Sequence, residues 1–134
     1  MSDDAAEQAI RLRFKKTLEE LRTLRGMGTQ LVTVIIPPER QVSDVRHQLA
    51  DEAGQARNIK SNQTRKHVCD ALEAASSALS GLKNAGPKGL ALFTGHVIIG
   101  NNKSRLMTFV IDDPPEPFTS FRYRCESTFE LTQL

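Results

Sequence analysis

A basic, amide-rich segment without a single carboxylate stands out in this chain. From Ala53 to Cys69 there is no Asp or Glu, and the segment carries many cationic and amide side chains: Arg57, Asn58, Lys60, Ser61, Asn62, Gln63, Arg65, Lys66 and His67. Lys and Arg neutralise phosphates, while amides and hydroxyls donate to and accept from base edges. The segment therefore suits nucleic-acid binding, although a charge run is more often a solvated surface, and composition alone leaves both interpretations open.

A second candidate is an alternating run near the C-terminal end. Phe121, Tyr123 and Cys125 stand at i, i+2 and i+4, so that a strand would point them to one face, and Phe129 follows four residues later. An exposed tyrosine can stack on a base and donate through its hydroxyl. The alternative is that this face packs the core and that Cys125 is a small buried hydrophobe, which is the commoner role of a free cysteine.

A third candidate is Glu52, which lies at the end of a predicted helix where the helix dipole disfavours a negative charge. Enzymatic groupings are weaker, since the chain lacks a phosphate-binding glycine loop and a Gly-x-Ser-x-Gly motif, and its three histidines are scattered. His67 and Cys69 stand at i, i+2 on a helix and point apart, which disfavours a shared zinc ion. The sequence predicts no catalytic set, no metal and no cofactor.

The elements that would position these residues follow from hydrophobic periodicity and from turn residues. Apolar residues at steps of three and four predict three helices, and β-branched or alternating runs between Gly and Pro predict four strands. The expected helices are 4–24, 42–53 and 68–82, and the expected strands are 31–36, 89–99, 106–110 and 118–125. This order predicts an α+β fold, in which a mixed, largely antiparallel sheet of about four strands is covered by three helices. The segment 55–63 becomes an exposed loop between helices two and three.

Length and charge place limits on the kind of protein. The 134 residues are expected to form a single domain, 1–134, and 18 basic against 16 acidic residues leave a net charge of only +2. Any basic patch must therefore be local. The acidic N-terminal residues do not resemble a signal peptide, no apolar run is long enough to span a membrane, and two cysteines do not make a disulfide framework. A cytoplasmic protein without a membrane partner is expected.

Two short motifs give the sequence a family resemblance. Asn58-Ile59-Lys60-Ser61 reproduces the NIKS tetrapeptide, and Tyr123 to Phe129 reproduces the YxCxxxF motif, of the archaeal and eukaryotic class I peptide chain release factors. Intervening signatures agree in the same order: Gly26-x-Gly28-Thr29, Ile36-Pro37-Pro38 and Leu49-Ala50-Asp51-Glu52. The chain resembles the N-terminal domain of that family along essentially its whole length, with archaeal features.

The resemblance implies that the domain enters the ribosomal decoding site and recognises a stop codon of the messenger RNA. The family's recognition residues fall on Thr29, Gln30, Glu52, Asn58, Ile59, Lys60, Ser61, Tyr123, Cys125 and Phe129. Asn58 and Lys60 match the readers of the first base, and Glu52, Tyr123 and Cys125 match those of the purines. Gln30 replaces the serine of the family's Gly-Thr-Ser element, and Arg57 stands where eukaryotic members usually carry serine.

The resemblance also implies partners beyond the codon. These are the small-subunit ribosomal RNA of the decoding site, the remaining release factor domains and, through those domains, an elongation-factor-like GTPase. Peptidyl-tRNA hydrolysis in the family needs a Gly-Gly-Gln loop, and this chain contains no Gly-Gly pair, so a recognition module and not an enzyme is expected. The alternative is a free-standing RNA-binding or ribosome-binding protein that occupies the A site without terminating synthesis.

Overall fold

A four-stranded sheet with helices on both faces forms the framework. The computed structural model describes residues 2–134, and side chains are described from Asp4 onward. The elements follow the order α1 (Ser2–Thr23), β1 (Leu31–Ile36), α2 (Val42–Ala56), α3 (Asn62–Leu79), β2 (Leu90–Gly100), β3 (Lys103–Ile111) and β4 (Arg122–Glu126). The strands lie in the order β3-β2-β1-β4, and every neighbouring pair is antiparallel. The predicted α+β class, with three helices and four strands, is confirmed.

Strand β1 lies inside the sheet and is buried on both faces. Its residues Val32, Val34 and Ile36 pack with the apolar faces of α2 and α3, whereas Leu31 and Ile35 pack on the opposite face with Leu21 of α1. This two-sided burial explains why the run 31–36 is continuously apolar and does not alternate. The sheet therefore separates two cores, and a residue's position in a strand determines which helices it meets.

Several element boundaries differ from the periodicity-based expectation. Helix α3 ends at Leu79 and not at 82, and β3 begins at Lys103 and not at 106. Helix α2 continues through Gly54 to Ala56, and α3 begins at Asn62, six residues before its first apolar position. The Ser61 side chain accepts a hydrogen bond from the Thr64 amide at 3.3 Å and so caps α3. Strand β4 begins at Arg122 and not at 118, because the proline-rich loop continues further than expected. The connection between α2 and α3 is consequently only residues 57–61.

Two glycines offer a matched test of this backbone. Gly89 has φ +85°, and a Cβ there would lie 2.4 Å from the Ile36 carbonyl oxygen, whereas Gly54 lies within α2 and a Cβ there meets nothing within 4 Å. We expect Gly89→Ala to lower the free energy of unfolding by about 1–2 kcal/mol, because left-handed backbone is costly for alanine. Gly54→Ala should raise it by about 0.5–1 kcal/mol, because alanine favours helix. Urea denaturation measures both; equal effects of the two substitutions would contradict a left-handed backbone at Gly89.

Candidate nucleic-acid interface

The connection between α2 and α3 is a compact turn with an apolar anchor. The Asn58 amide donates to the Gln55 carbonyl at 3.0 Å, and the Ile59 amide donates to the Ala56 carbonyl at 3.1 Å, which extends the helical winding of α2. Ile59 is half-buried against the core under α2 and α3, while Asn58, Lys60 and Ser61 are exposed. The turn therefore buries its one apolar residue and presents its polar residues to solvent.

Arg65 holds this turn from the first turns of α3. Its guanidinium donates to the Ile59 carbonyl at 2.9 Å and also to the side-chain oxygen of Asn62. Composition marks Arg65 as a phosphate ligand, but two of its N–H groups are used on acceptors within the protein. The sequence does not reveal the hydrogen bond to Ile59, because the acceptor there is a main-chain carbonyl.

The supply of free cations at the turn is consequently small. Lys66 forms an ion pair with Asp70 at 3.6 Å, one turn further along α3. Among the described residues, Arg57 and Lys60 form no ion pair within 4.0 Å. Arg65 is half-buried and hydrogen-bonded within the domain. Of the four lysines and arginines in the acid-free segment, only Arg57 and Lys60 are exposed and have neither an ion pair nor a side-chain hydrogen bond among the described residues.

Strand β4 places Tyr123 and Cys125 on the same face of the sheet as α2 and α3. Tyr123 is paired with Val34 and Cys125 with Val32, and both are half-buried against the same core as Ile59. The one-face placement expected from the i, i+2 spacing is present, and the face is the one that carries the interhelical turn. Both side chains combine partial burial in the core with partial exposure at its edge.

Glu52 adds a negative charge near Tyr123 and Cys125. Burial, with smaller contributions from the Glu52 and Glu126 carboxylates, raises the pKa of Cys125 to about 11. Burial likewise raises the pKa of the Tyr123 hydroxyl, with additional contributions from Cys125 and Glu52. Both groups are therefore protonated at neutral pH, and both can donate a hydrogen bond. Glu52, by contrast, supplies only acceptors while it is ionised.

The loop before β1 places Thr29 beside Cys125. The Cys125 thiol donates to the Thr29 carbonyl at 3.2 Å. The main-chain N–H of Gln30 donates to the Gly28 carbonyl at 2.9 Å, which closes a tight turn with Thr29 at its tip. The Thr29 side chain is exposed. Thr29, Cys125, Tyr123 and Glu52 thus form one contiguous area, which we call the β4 edge.

Two of the residues expected at the site lie in the interior. Gln30 is 2% exposed, and its side-chain oxygen lies 2.6 Å from Nδ1 of His67. Phe129 is 5% exposed and packs edge-on against Phe93, with ring centroids 5.7 Å apart, in the core on the α1 face. Neither side chain is available to an RNA base in this conformation. Gln30 lies next to the Thr29 turn, whereas Phe129 belongs to the core on the opposite face of the sheet from Tyr123 and Cys125.

Comparison with known proteins shows which family the chain belongs to. The family model described as "eRF1 domain 1" matches residues 10–134. The chain belongs to this family. Over the described residues, no helix is long and apolar enough to cross a membrane, and no group of three or more His, Cys, Asp and Glu side chains is placed to hold a metal ion.

Curated relatives and solved structures agree with this membership. The chain is 43% identical over 134 residues to peptide chain release factor subunit 1 of Thermoplasma acidophilum, covering 100% of the chain and 31% of that protein. It is 44% identical over 122 residues to the same subunit of Methanobrevibacter smithii, covering 91% of the chain and 30% of that protein. A crystal structure of the archaeal translation termination factor aRF1 superposes with a TM-score of 0.78 at 34% identity, covering 92% of the chain and 32% of that structure. This eRF1 domain 1 chain spans about a third of the length of the relatives it matches.

The electrostatic effect of Glu52 on Cys125 in this eRF1 domain 1 chain can be tested by thiol chemistry. Only the thiolate reacts with iodoacetamide. A Cys125 pKa of about 11, against about 8.5 for free cysteine, lowers the thiolate fraction at pH 8 by about two orders of magnitude and should slow alkylation at least tenfold. Glu52→Gln removes one of the charges that disfavour the thiolate and should accelerate the reaction. Peptide-resolved mass spectrometry measures the rate at Cys125 separately from Cys69. Asp51→Asn, one residue away on the exposed side of α2, is the control and should leave the rate unchanged; an equal acceleration would refute a specific Glu52 effect.

Proposed function

We propose that this chain is the stop-codon recognition domain of a class I peptide chain release factor and acts in the ribosomal A site. The observation that carries the proposal is the convergence, on one face of the sheet, of the exposed interhelical turn with the β4 edge. An RNA trinucleotide is short, so the groups that recognise it must lie on one continuous surface. Separate elements, the end of α2, the 57–61 turn, β4 and the loop before β1, supply that surface here.

The polarity of these groups fits the bases of a stop codon. The Lys60 ammonium offers only donors, which match the O4 acceptor of uracil and conflict with the amino group of cytosine, and the Asn58 amide offers a further donor to uracil. The Glu52 carboxylate accepts from the adenine amino group and repels the guanine O6. The protonated Tyr123 hydroxyl is a further donor at the same edge. We assign direct contact with RNA to Thr29, Glu52, Asn58, Lys60, Ser61 and Tyr123.

Other expected site residues have supporting roles in this proposal. Ile59 anchors the turn in the core, and Phe129 is buried on the α1 face. Gln30 is buried under the turn whose tip is Thr29, and the Cys125 thiol is engaged by the Thr29 carbonyl. We propose that Cys125 and Gln30 hold the Thr29 turn in place, and that a purine meets the area formed by Glu52, Tyr123 and Thr29.

The charge balance indicates that the domain needs the ribosome to bind tightly. Arg57 and Lys60 are the two unpaired cations of the turn, so the chain should neutralise about two phosphates, and affinity for free RNA should be weak and salt-sensitive. The remaining contacts would come from small-subunit ribosomal RNA and from the other domains of a complete factor, including the Gly-Gly-Gln domain that triggers hydrolysis and the region that binds a GTPase. The proposed setting is the cytoplasm, and the chain itself is proposed to be a recognition module and not an enzyme.

The decisive experiment replaces the matching third of the Thermoplasma acidophilum release factor subunit 1 with this chain. Peptide release is then measured on ribosomes with UAA, UAG, UGA or UGG in the A site. The proposal expects release at stop codons and not at UGG. A chimera that binds the A site with equal affinity at all four codons, without release, would support the alternative of an A-site-binding protein that does not terminate synthesis.

A further inference from the structure

A pair of stacked histidines lies beneath the Thr29 turn and has no place in the recognition surface described above. His67 of α3 is 9% exposed, and its ring stacks on that of His96 of β2 with centroids 3.9 Å apart and planes 19° apart. Nε2 of His96 donates to the Asp70 carboxylate at 2.9 Å, and Asp70 also pairs with Lys66. The second ring is thus oriented by a carboxylate, and the first ring is held in place by the second.

The other edge of His67 faces the Thr29 turn. Its Nδ1 lies 2.6 Å from the side-chain oxygen of Gln30, which can only accept, so that Nδ1 carries the proton. Burial lowers the pKa of His67, and the neighbouring His96 lowers it further, so the ring is neutral at pH 7. A neutral imidazole has one N–H, and here that N–H is used on Gln30.

Gln30 links His67 to the Thr29 turn. The side-chain nitrogen of Gln30 lies close to Gly28, 3.5 Å from where a Cβ on that residue would be. The main-chain N–H of Gln30 donates to the Gly28 carbonyl. The main-chain carbonyl oxygen of Gln30 lies 2.8 Å from where a Cβ on Gly95 of β2 would be. A side chain at position 95 would therefore collide with the turn, and glycine allows the close approach. The exposed Thr29 is consequently held from below by Gln30 and laterally by Cys125.

We propose that His67 is a positioning residue for codon recognition, which fixes the Thr29 turn through its hydrogen bond to Gln30. This inference rests on the proposed function, because the turn has a role in recognition only if the β4 edge meets RNA. His96, itself oriented by Asp70, holds the His67 ring in the plane that directs Nδ1 at Gln30. The bland alternative is a core histidine whose contribution is packing alone.

Matched substitutions separate positioning from packing. His67→Leu fills a similar volume without a donor, whereas His67→Asn places an amide N–H near the position of Nδ1. Gln30→Met removes the acceptor from the other side. If one hydrogen bond carries the effect, the double variant His67→Leu/Gln30→Met should be no worse than either single variant, since the two substitutions delete the same interaction.

The first measurement is independent of the ribosome and follows the turn itself. Loosening the turn frees the Cys125 thiol from the Thr29 carbonyl, so alkylation of Cys125, resolved by mass spectrometry, should accelerate about twofold to tenfold in His67→Leu, the range for one neutral hydrogen bond. Gln30→Met should give the same acceleration, and His67→Asn should restore the slow rate. Unchanged Cys125 alkylation in Gln30→Met and in a folded His67→Leu, or an additive double variant, overturns the proposal. Gln30→Met keeps the test valid if His67→Leu does not fold.

The second measurement uses the release factor chimera. His67→Leu should lower stop-codon-dependent release about twofold to tenfold, with recovery in His67→Asn. If the unsubstituted chimera does not distinguish stop codons from UGG, the proposed function fails. If it does distinguish them, but His67→Leu and Gln30→Met release peptide at the unsubstituted rate, the role of His67 in recognition fails and the proposed function stands.

Discussion

Replacing Lys60 with alanine should lower stop-codon-dependent peptide release by the chimeric factor about tenfold to a hundredfold. This range corresponds to about 1–3 kcal/mol for a good polar contact to a base edge. Lys60 is exposed and, within the described part of the chain, forms no ion pair within 4.0 Å, so its removal leaves no buried partner and should not disturb the fold. Release rates at UAA, with the urea midpoint of the isolated chain as a check on folding, measure the two effects separately.

Lys83→Ala is the matched control, because it removes the same exposed charge beyond the end of α3. It should leave release unchanged, while Lys60→Ala should also reduce the preference for UAA over CAA, since the ammonium group favours the uracil O4 over the cytosine amino group. Equal release by Lys60→Ala and Lys83→Ala would mean that the 57–61 turn is only a connection between helices.

Most of the architecture could be predicted from periodicity, because burial in this fold follows regular faces. A continuous apolar run such as 31–36 is typical of a strand buried on both faces, and β1 has that environment. Apolar residues at steps of three and four predicted the three helices in the same way. Where side chains alternate or recur at a fixed step, a single sequence contains the information about which face is covered.

The boundaries that were wrong lie where the backbone, and not an apolar face, determines the structure. Helix α3 begins at Asn62 because Ser61 caps it, and its first turns carry no apolar stripe that periodicity could detect. Strand β4 begins only at Arg122, which pairs with Ile35 near the end of β1. The predicted residues 118–121 precede the first described pairing with β1, and an apolar-alternating pattern does not record the length of the neighbouring strand.

The candidate site was predictable in its exposed parts and not in its buried ones. The 57–61 turn, Glu52 and Tyr123 carry recognisable side chains on the surface, so motif and spacing lead to them. The contact between Gln30 and His67 joins residues 37 positions apart, and nothing at either position indicates the other. A polar residue next to a strand is normally exposed, and only the tertiary structure shows that Gln30 faces inward.

Replacing Glu52 with glutamine should change which purines are accepted. The carboxylate accepts from an adenine amino group and repels the guanine O6, whereas glutamine retains an acceptor and adds a donor that can meet O6. The preference for A-containing over G-containing codons should therefore shrink about tenfold to a hundredfold, the range for one polar contact of about 1–3 kcal/mol. Release measured at UAA, UAG, UGA and UGG gives the ranking directly.

The competing explanation is that Glu52 anchors a neighbouring basic side chain such as Arg57, in which case Glu52→Gln should weaken all stop codons alike. Among the described side chains, no ion pair joins these two residues within 4.0 Å, and the Glu52 charge instead acts on Tyr123 and Cys125. Asp51→Asn makes the same change of charge on the exposed side of α2 and should preserve the ranking. Because glutamine differs from glutamate mainly in hydrogen-bond polarity and charge, a ranking that Glu52→Gln leaves unchanged would remove Glu52 from base recognition. A ranking that shifts toward G only in Glu52→Gln would locate purine discrimination at the β4 edge.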